Sequence, residues 1–252
     1  MTGTTSTSGT GTPARTFDDA RRWALLGTEL ALRATAGLDT DGYAAPSALP
    51  GWTRSHLAAH VAANADALSN LVHWAATGDP TPMYASPEER AAGIERGRAL
   101  PAAQLTAWLR ESAQKLEQGM AGLDEQQWRT PVVTAQGRTV PATEVPWLRS
   151  REVCVHAVDF AGGVGFTDLP ADFLTALCGD VVAKRAAAPG PALTLTATDT
   201  GATWNLPGDG EPALVQAELP TLAAYLTGRD TAAGAAPRTA DGAPAPALGA
   251  WL

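Results

Sequence analysis

The sequence predicts an α+β protein, with an N-terminal four-helix bundle followed by a small α/β domain. Three observations carry that reading. Up to residue 165, apolar residues recur at helical spacing in long segments that open on capping residues and close on glycine. After Gly165 the segments shorten, and runs such as "ALTLTAT" alternate as strands do. Hydrophobic residues make up 45% of the 252, enough for the sizeable core of one large or two ordinary domains and too many for a disordered chain. The predicted divisions are a disordered Gly/Thr/Ser-rich tail over 1–14, the bundle over 15–165 and the small domain over 166–252.

The elements follow from local signals. Residues 17–37 read as a helix capped by Thr16, with Asp18 and Asp19 in its first turn, where the helix dipole favours negative charge. "PSALPGW" (46–52) is a loop punctuated by proline and glycine. Thr53 then caps a second helix over about 54–76. In "ASPEER" (85–90), Ser86 caps a helix, Pro87 takes its first position and Glu89 completes a capping box. Leu105, Trp108, Leu109, Leu116 and Met120 mark a helix over about 101–121. "TPVVTAQGRTVPA" (130–142) reads as a hairpin turning at Gln136-Gly137, and the last bundle helix runs from about 143 to 161, ending at Gly162-Gly163. Beyond it come a helix over 170–187, a strand over 192–198, a turn at Asp199-Thr200-Gly201 into "ATWNL", a strand over 213–219 and a helix over 220–229 with Gly228 as its stop.

Composition narrows the function classes. A net charge of −8 with no basic stripe argues against nucleic acid as the main partner. Cys154 and Cys178 form neither a CxxC nor a disulfide framework, which makes a reducing cytoplasm the expected location. No run reaches membrane-spanning length, so no membrane partner is expected, and the first residues lack the order of a signal peptide.

The chemistry-bearing residues sit where core residues belong. In "WLRSREVCVHAVDF" (147–160), Glu152 and His156 are four apart and therefore stacked on one helix face, together with Val145, Leu148 and Asp159. Cys154 points roughly the opposite way by the same count. On the second helix, Leu57, Val61, Asn64, Leu68 and Leu71 fall within roughly 40° of one direction, and His60 lies roughly 60° from its centre. His56 lies about 100° away, at the edge of the stripe. A buried carboxylate and imidazoles are costly unless something pairs them. Two readings satisfy that requirement. One is a closed hydrogen-bond network in which His60 donates to Glu152. The other is a His₂Glu metal site with one open coordination position.

"LPGWTRSHLAAHVAANADAL" (49–68) followed by "RSREVCVHAVDF" (149–160) resembles the mycothiol-dependent maleylpyruvate isomerase family, within the DinB-like metal-binding bundles. The resemblance runs over nearly the whole chain, and "AAYLTGRD" (223–230) matches the family's tail motif. It implies that His60, Glu152 and His156 are the metal ligands, with zinc (Zn2+) preferred, and that Arg229 is the catalytic arginine supplied by the C-terminal domain. It also implies a thiol cofactor, mycothiol, and a small-molecule substrate, maleylpyruvate, isomerised to fumarylpyruvate by reversible addition of a zinc-bound thiolate. A mycothiol S-transferase acting on another electrophile is the alternative, and a ligand-sensing relative that keeps the metal bundle is a third. No residue that would hold the thiol can be read from spacing. His56 is a rival ligand or a surface residue near the helix start, Asn64 a hydrogen-bonding group near the site or a core amide, and Asp159 an orienting carboxylate for His60 or His156 or a residue facing a loop.

Overall fold

A computed structural model describes residues 15–229, 236–249 and 251. The tail expected over 1–14 and Asp230 of the tail motif lie outside the described residues. The chain divides into two units, Thr16–Asp168 and Leu169–Leu252.

The first unit is helical. Its four long helices are α1 (Phe17–Ala34), α3 (Arg54–Thr77), α5 (Ala102–Ala121) and α7 (Val145–Asp159). Shorter ones fill the connections: α2 (Thr40–Ala44), α4 (Pro87–Arg98) and α6 (Glu125–Trp128). Two of these, α2 and α6, were not expected. Each is about one turn long and opens on an aspartate, Asp39 or Asp124, whose side chain takes a backbone N–H. Two of the four long helices, α1 and α3, open on the expected side-chain caps. Thr16 and Asp19 form a complete capping box, and Thr53 accepts from the His56 backbone N–H. At α4, Ser86 caps and Pro87 leads, but the expected capping box does not close. The Glu89 carboxylate pairs with Arg96 instead of reaching back to the cap, because an arginine on the next turns offers a charged donor. A hairpin of β1 (Pro131–Val133) and β2 (Thr139–Pro141) turns at Gly137, whose φ is +75°.

The core of this unit is built on α3, which buries Leu57, Val61, Leu68 and Leu71 completely. Each such side chain contributes about 1.5–3 kcal/mol of burial. Trp23 of α1 and Trp147 of α7 meet edge-on at a centroid distance of 5.9 Å. The α1–α7 contact is closer than side chains usually allow. A Cβ on Gly27 would lie 2.5 Å from Val153 Cγ2 and 2.6 Å from Cys154 Sγ, so only glycine fits there. Cys154 faces α1, where its thiol contacts the Trp23 carbonyl, away from Glu152 and His156 as its position on the helix requires.

The second unit holds a four-stranded mixed sheet in the order β4-β3-β5-β6. The strands are β3 (Pro191–Ala197), β4 (Thr203–Leu206), β5 (Asp209–Ala217) and β6 (Arg238–Thr239). β3 pairs antiparallel with β4 and parallel with β5, and β5 pairs antiparallel with β6. The fully buried Leu195 and Val215 are cross-strand partners in the parallel pair. The helices are α8 (Ala171–Arg185) and α9 (Leu219–Leu226), and Gly228 follows α9 with φ +70°. β6, in the Pro/Ala-rich stretch, was not expected: two residues carry no readable alternation. The fold class is α+β, as the sequence predicts.

Candidate metal centre

Two helices position the site. α7 stacks Glu152 and His156 one turn apart, and α3 supplies His60 from across the bundle. The potential ligand atoms of His60, Glu152 and His156 all lie within 4.8 Å of one another. His60 Nε2 is 3.0 Å and His156 Nε2 3.4 Å from the same oxygen, Glu152 Oε2. The two imidazole rings meet edge-on at 4.9 Å. His60 is 6% and His156 9% exposed, so both rings sit almost entirely inside the bundle.

A further carboxylate fixes the second imidazole. His156 Nδ1 donates to Asp159 Oδ2 at 2.8 Å, and Asp159 is fully buried. That bond leaves Nε2 of His156 directed at Glu152. A carboxylate on the far nitrogen is the arrangement that orients metal-ligating histidines and makes them more basic. Asp159 is thus the orienting partner of His156. Its backbone carbonyl also receives the Ala48 N–H, which ties the loop before α3 to the end of α7.

The electrostatics of the cluster follow from its burial. Burial by itself drives the Glu152 carboxyl upward, but hydrogen bonds from His156 and His60 more than offset it and hold the group well below the usual carboxylate range. Burial lowers the His156 imidazolium, but the hydrogen bonds to Asp159 and Glu152 overcome this and raise it to about 9. Burial lowers His60, and Glu152 only partly offsets the effect. One carboxylate cannot hold two imidazolium ions equally. His156, with two carboxylates, keeps the proton, and His60 stays neutral. In that state Arg90 Nη2 donates to His60 Nδ1 at 3.3 Å.

The other residues singled out by sequence fall as follows. His56 is outside the cluster. Its Nδ1 accepts the Thr53 backbone N–H at 3.2 Å and closes the capping box of α3, while its ring stacks on Trp52 and its Nε2 lies 3.8 Å from Glu95. Asn64 is buried, and its Oδ1 accepts from Arg149 Nη1 at 3.0 Å. It is therefore bonded to a side chain beside the site rather than to backbone. Arg229 lies just past α9 in the second unit. Its Nη1 donates to the Thr227 carbonyl at 2.7 Å, and its guanidinium sits 6.0 Å above the Trp251 ring. Arg149 and Arg90 were missed. Each looks like one more surface charge in an arginine-rich sequence, although Arg149 precedes Glu152 by three residues and so shares its side of α7.

The donor set fits a metal ion. Two imidazoles and one carboxylate converge, one imidazole is already oriented by a carboxylate, and three protein ligands leave a coordination position for a small molecule. Comparisons with known proteins agree with this geometry. The family described as "Mycothiol maleylpyruvate isomerase N-terminal domain" matches residues 23–161. A solved structure of the mycothiol-dependent maleylpyruvate isomerase superposes with a TM-score of 0.85 at 35% identity, covering 92% of this chain and 96% of that one. A mutant of that isomerase with one histidine replaced by alanine matches with the same figures. A search of curated protein sequences gave no match. The site lies within the matched residues, and the likeness extends over both units: the chain belongs to the mycothiol maleylpyruvate isomerase family.

Proposed function

We propose that the protein is a zinc- and mycothiol-dependent cis-trans isomerase converting maleylpyruvate to fumarylpyruvate in the cytoplasm. The observation that carries the reading is the convergence of His60, Glu152 and His156, with Asp159 behind His156, in a chain 35% identical to that isomerase. Zinc held by these three residues supplies a Lewis acid that keeps a coordinated thiol deprotonated at neutral pH.

The nucleophile is then the sulfur of the added thiol. The two cysteines of this chain are free but buried, and burial pushes both thiols up, which leaves them inert as nucleophiles. The thiolate adds to the cis double bond of maleylpyruvate, and the electron pair moves onto the conjugated carbonyl as an enolate. The carbon–carbon bond is now single and rotates. Return of the electron pair expels the thiolate and leaves the trans isomer, with no net change in the thiol. The substrate is an anion of charge two and the protein carries −8, so a local cation is needed. We assign that role to Arg229, whose planar guanidinium can clasp a carboxylate in two parallel hydrogen bonds and stabilise the enolate.

The test is to mix metal-loaded protein with maleylpyruvate, with and without mycothiol, and to follow fumarylpyruvate. Thiol-dependent turnover with the mycothiol recovered unchanged is the expected result. No turnover, with both metal and thiol bound, would instead favour a mycothiol S-transferase using the same site on another electrophile.

A further inference from the structure

Arg149 is only 2% exposed, and its position on α7 directs it into the first unit. Its Nη1 donates to the Val61 carbonyl at 2.9 Å and to Asn64 Oδ1 at 3.0 Å. Both acceptors are neutral, and no carboxylate forms an ion pair with it among the described residues. A guanidinium carries five N–H donors, so the edge formed by Nε and Nη2 has no protein acceptor. That edge is not sealed off. Among the described residues, no nitrogen of Arg149 belongs to the fully enclosed side-chain atoms that lack a partner. Burial lowers the Arg149 guanidinium to about 10, with Glu152 opposing through space, so it remains charged at neutral pH.

Arg149 also lines a cavity of about 500 Å³ between α1 and α5. Ala24, Leu25 and Leu32 line one wall and Ala113, Leu116 and Met120 the other, and Arg149 is the one residue of α7 that lines it. The rim carries Arg21 and Arg110 against Glu29 and Glu117, so its charges balance. At the mouth, Leu25 is a large hydrophobic residue that is 46% exposed. None of His60, Glu152 and His156 lines the cavity. A buried cation with no carboxylate in ion-pair contact is costly, even with Glu152 and Asp66 acting on it through space, and an apolar cavity ending in one is chemically matched to one kind of ligand.

We propose that the α1–α5 cavity is a second binding site, which takes a small monocarboxylate with an apolar body. The carboxylate accepts two parallel hydrogen bonds from Nε and Nη2 of Arg149, and the body lies between Leu25 and Met120. Its size suits a short-chain or single-ring acid, since small-molecule sites begin at roughly 300 Å³.

The test is isothermal titration of the full-length, metal-loaded protein with hexanoate. Hexan-1-ol serves as the uncharged control, and Arg149→Met and Leu25→Glu as the variants. Leu25→Glu alters an exposed residue and sets a like charge at the mouth while leaving the guanidinium intact. The expected result is saturable binding of one hexanoate, weakened about tenfold or more for hexan-1-ol and for each variant, as expected when a charge-assisted pair is lost. If Arg149→Met fails to fold, Leu25→Glu decides alone. No saturable binding to the wild type, equal binding of the alcohol, or unchanged binding in Leu25→Glu overturns the proposal. Binding that survives Leu25→Glu but vanishes on chelation belongs to the metal centre and overturns it equally.

Discussion

Glu152 Oε2 is the meeting point of the site, since both imidazoles approach that one oxygen. Three consequences follow for single residues. Removing any ligand leaves two, too few to hold zinc tightly. His60→Ala, Glu152→Ala and His156→Ala should each lose the metal on dialysis, while His56→Ala should retain it, because His56 serves the cap of α3. Full retention in any of the first three would remove that residue from the set. Asp159→Asn should keep the metal but weaken it by about 10–100-fold, the usual effect of losing a carboxylate behind a ligating histidine. The third consequence is a pH dependence. In chelated protein the folded-state pKa of His156 is raised from the usual 6.5 to about 9. A raised group stabilises the fold fully below its unfolded value and loses that contribution as pH climbs through the folded one. Between pH 6.5 and 9 the unfolding free energy of chelated protein should therefore fall, by on the order of a few kcal/mol. Metal-loaded protein should lack that fall, because a ligating imidazole has already given up its proton. Parallel pH curves for the two forms would contradict the assignment of His156.

At the scale of elements, the site depends on α7 lying hard against α1. Gly27 permits that approach, with no room for a Cβ beside Val153 and Cys154. Gly27→Ala should destabilise the protein by roughly 1–3 kcal/mol, the usual cost of overpacking, and also weaken metal binding, because α7 would have to shift away from α1 and carry Glu152 and His156 out of register with His60. Chemical denaturation and metal titration on the same variant check both, and an unchanged affinity would mean that α7 adjusts without moving its ligands. The helices were legible because caps and apolar stripes are local signals: Thr16, Thr53 and Ser86 cap α1, α3 and α4 as the hydrogen bonds show, and α5 was read from its apolar stripe alone. Glu89 was misread because its competing partner, Arg96, lies two turns on, beyond the reach of a four-residue motif. β6 owes its pairing to β5 across more than twenty residues and leaves no trace in its own two. The clustering of His60, Glu152 and His156 was legible for a different reason. Polar residues on a stripe that must be buried demand partners, and His60, Glu152 and His156 are each other's. Arg149 is just as buried, yet only tertiary contacts reveal it, since an arginine in "WLRSREV" reads equally well as a solvated charge.

At the scale of the molecule, the three clustered residues proposed as ligands belong to the first unit and Arg229 to the second. Metal binding and substrate handling should therefore separate by mutation. Arg229→Ala should keep full metal content and near-wild-type thermal stability and lose most turnover, read as kcat and KM in the isomerase assay. Unchanged kinetics would remove Arg229 from the mechanism. Loss of metal in this variant would show that the two units are energetically coupled. No helix among the described residues is long and apolar enough to cross a membrane.

The central claim is that His60, Glu152 and His156 hold a metal on which the added thiol binds as its thiolate. The most direct measurement replaces the metal with cobalt(II) and titrates mycothiol while recording the near-ultraviolet spectrum. The account predicts an intense cobalt–thiolate charge-transfer band that saturates at one thiol per protein and is absent in His156→Ala. A cobalt-loaded wild-type protein whose spectrum does not change on adding mycothiol would contradict it.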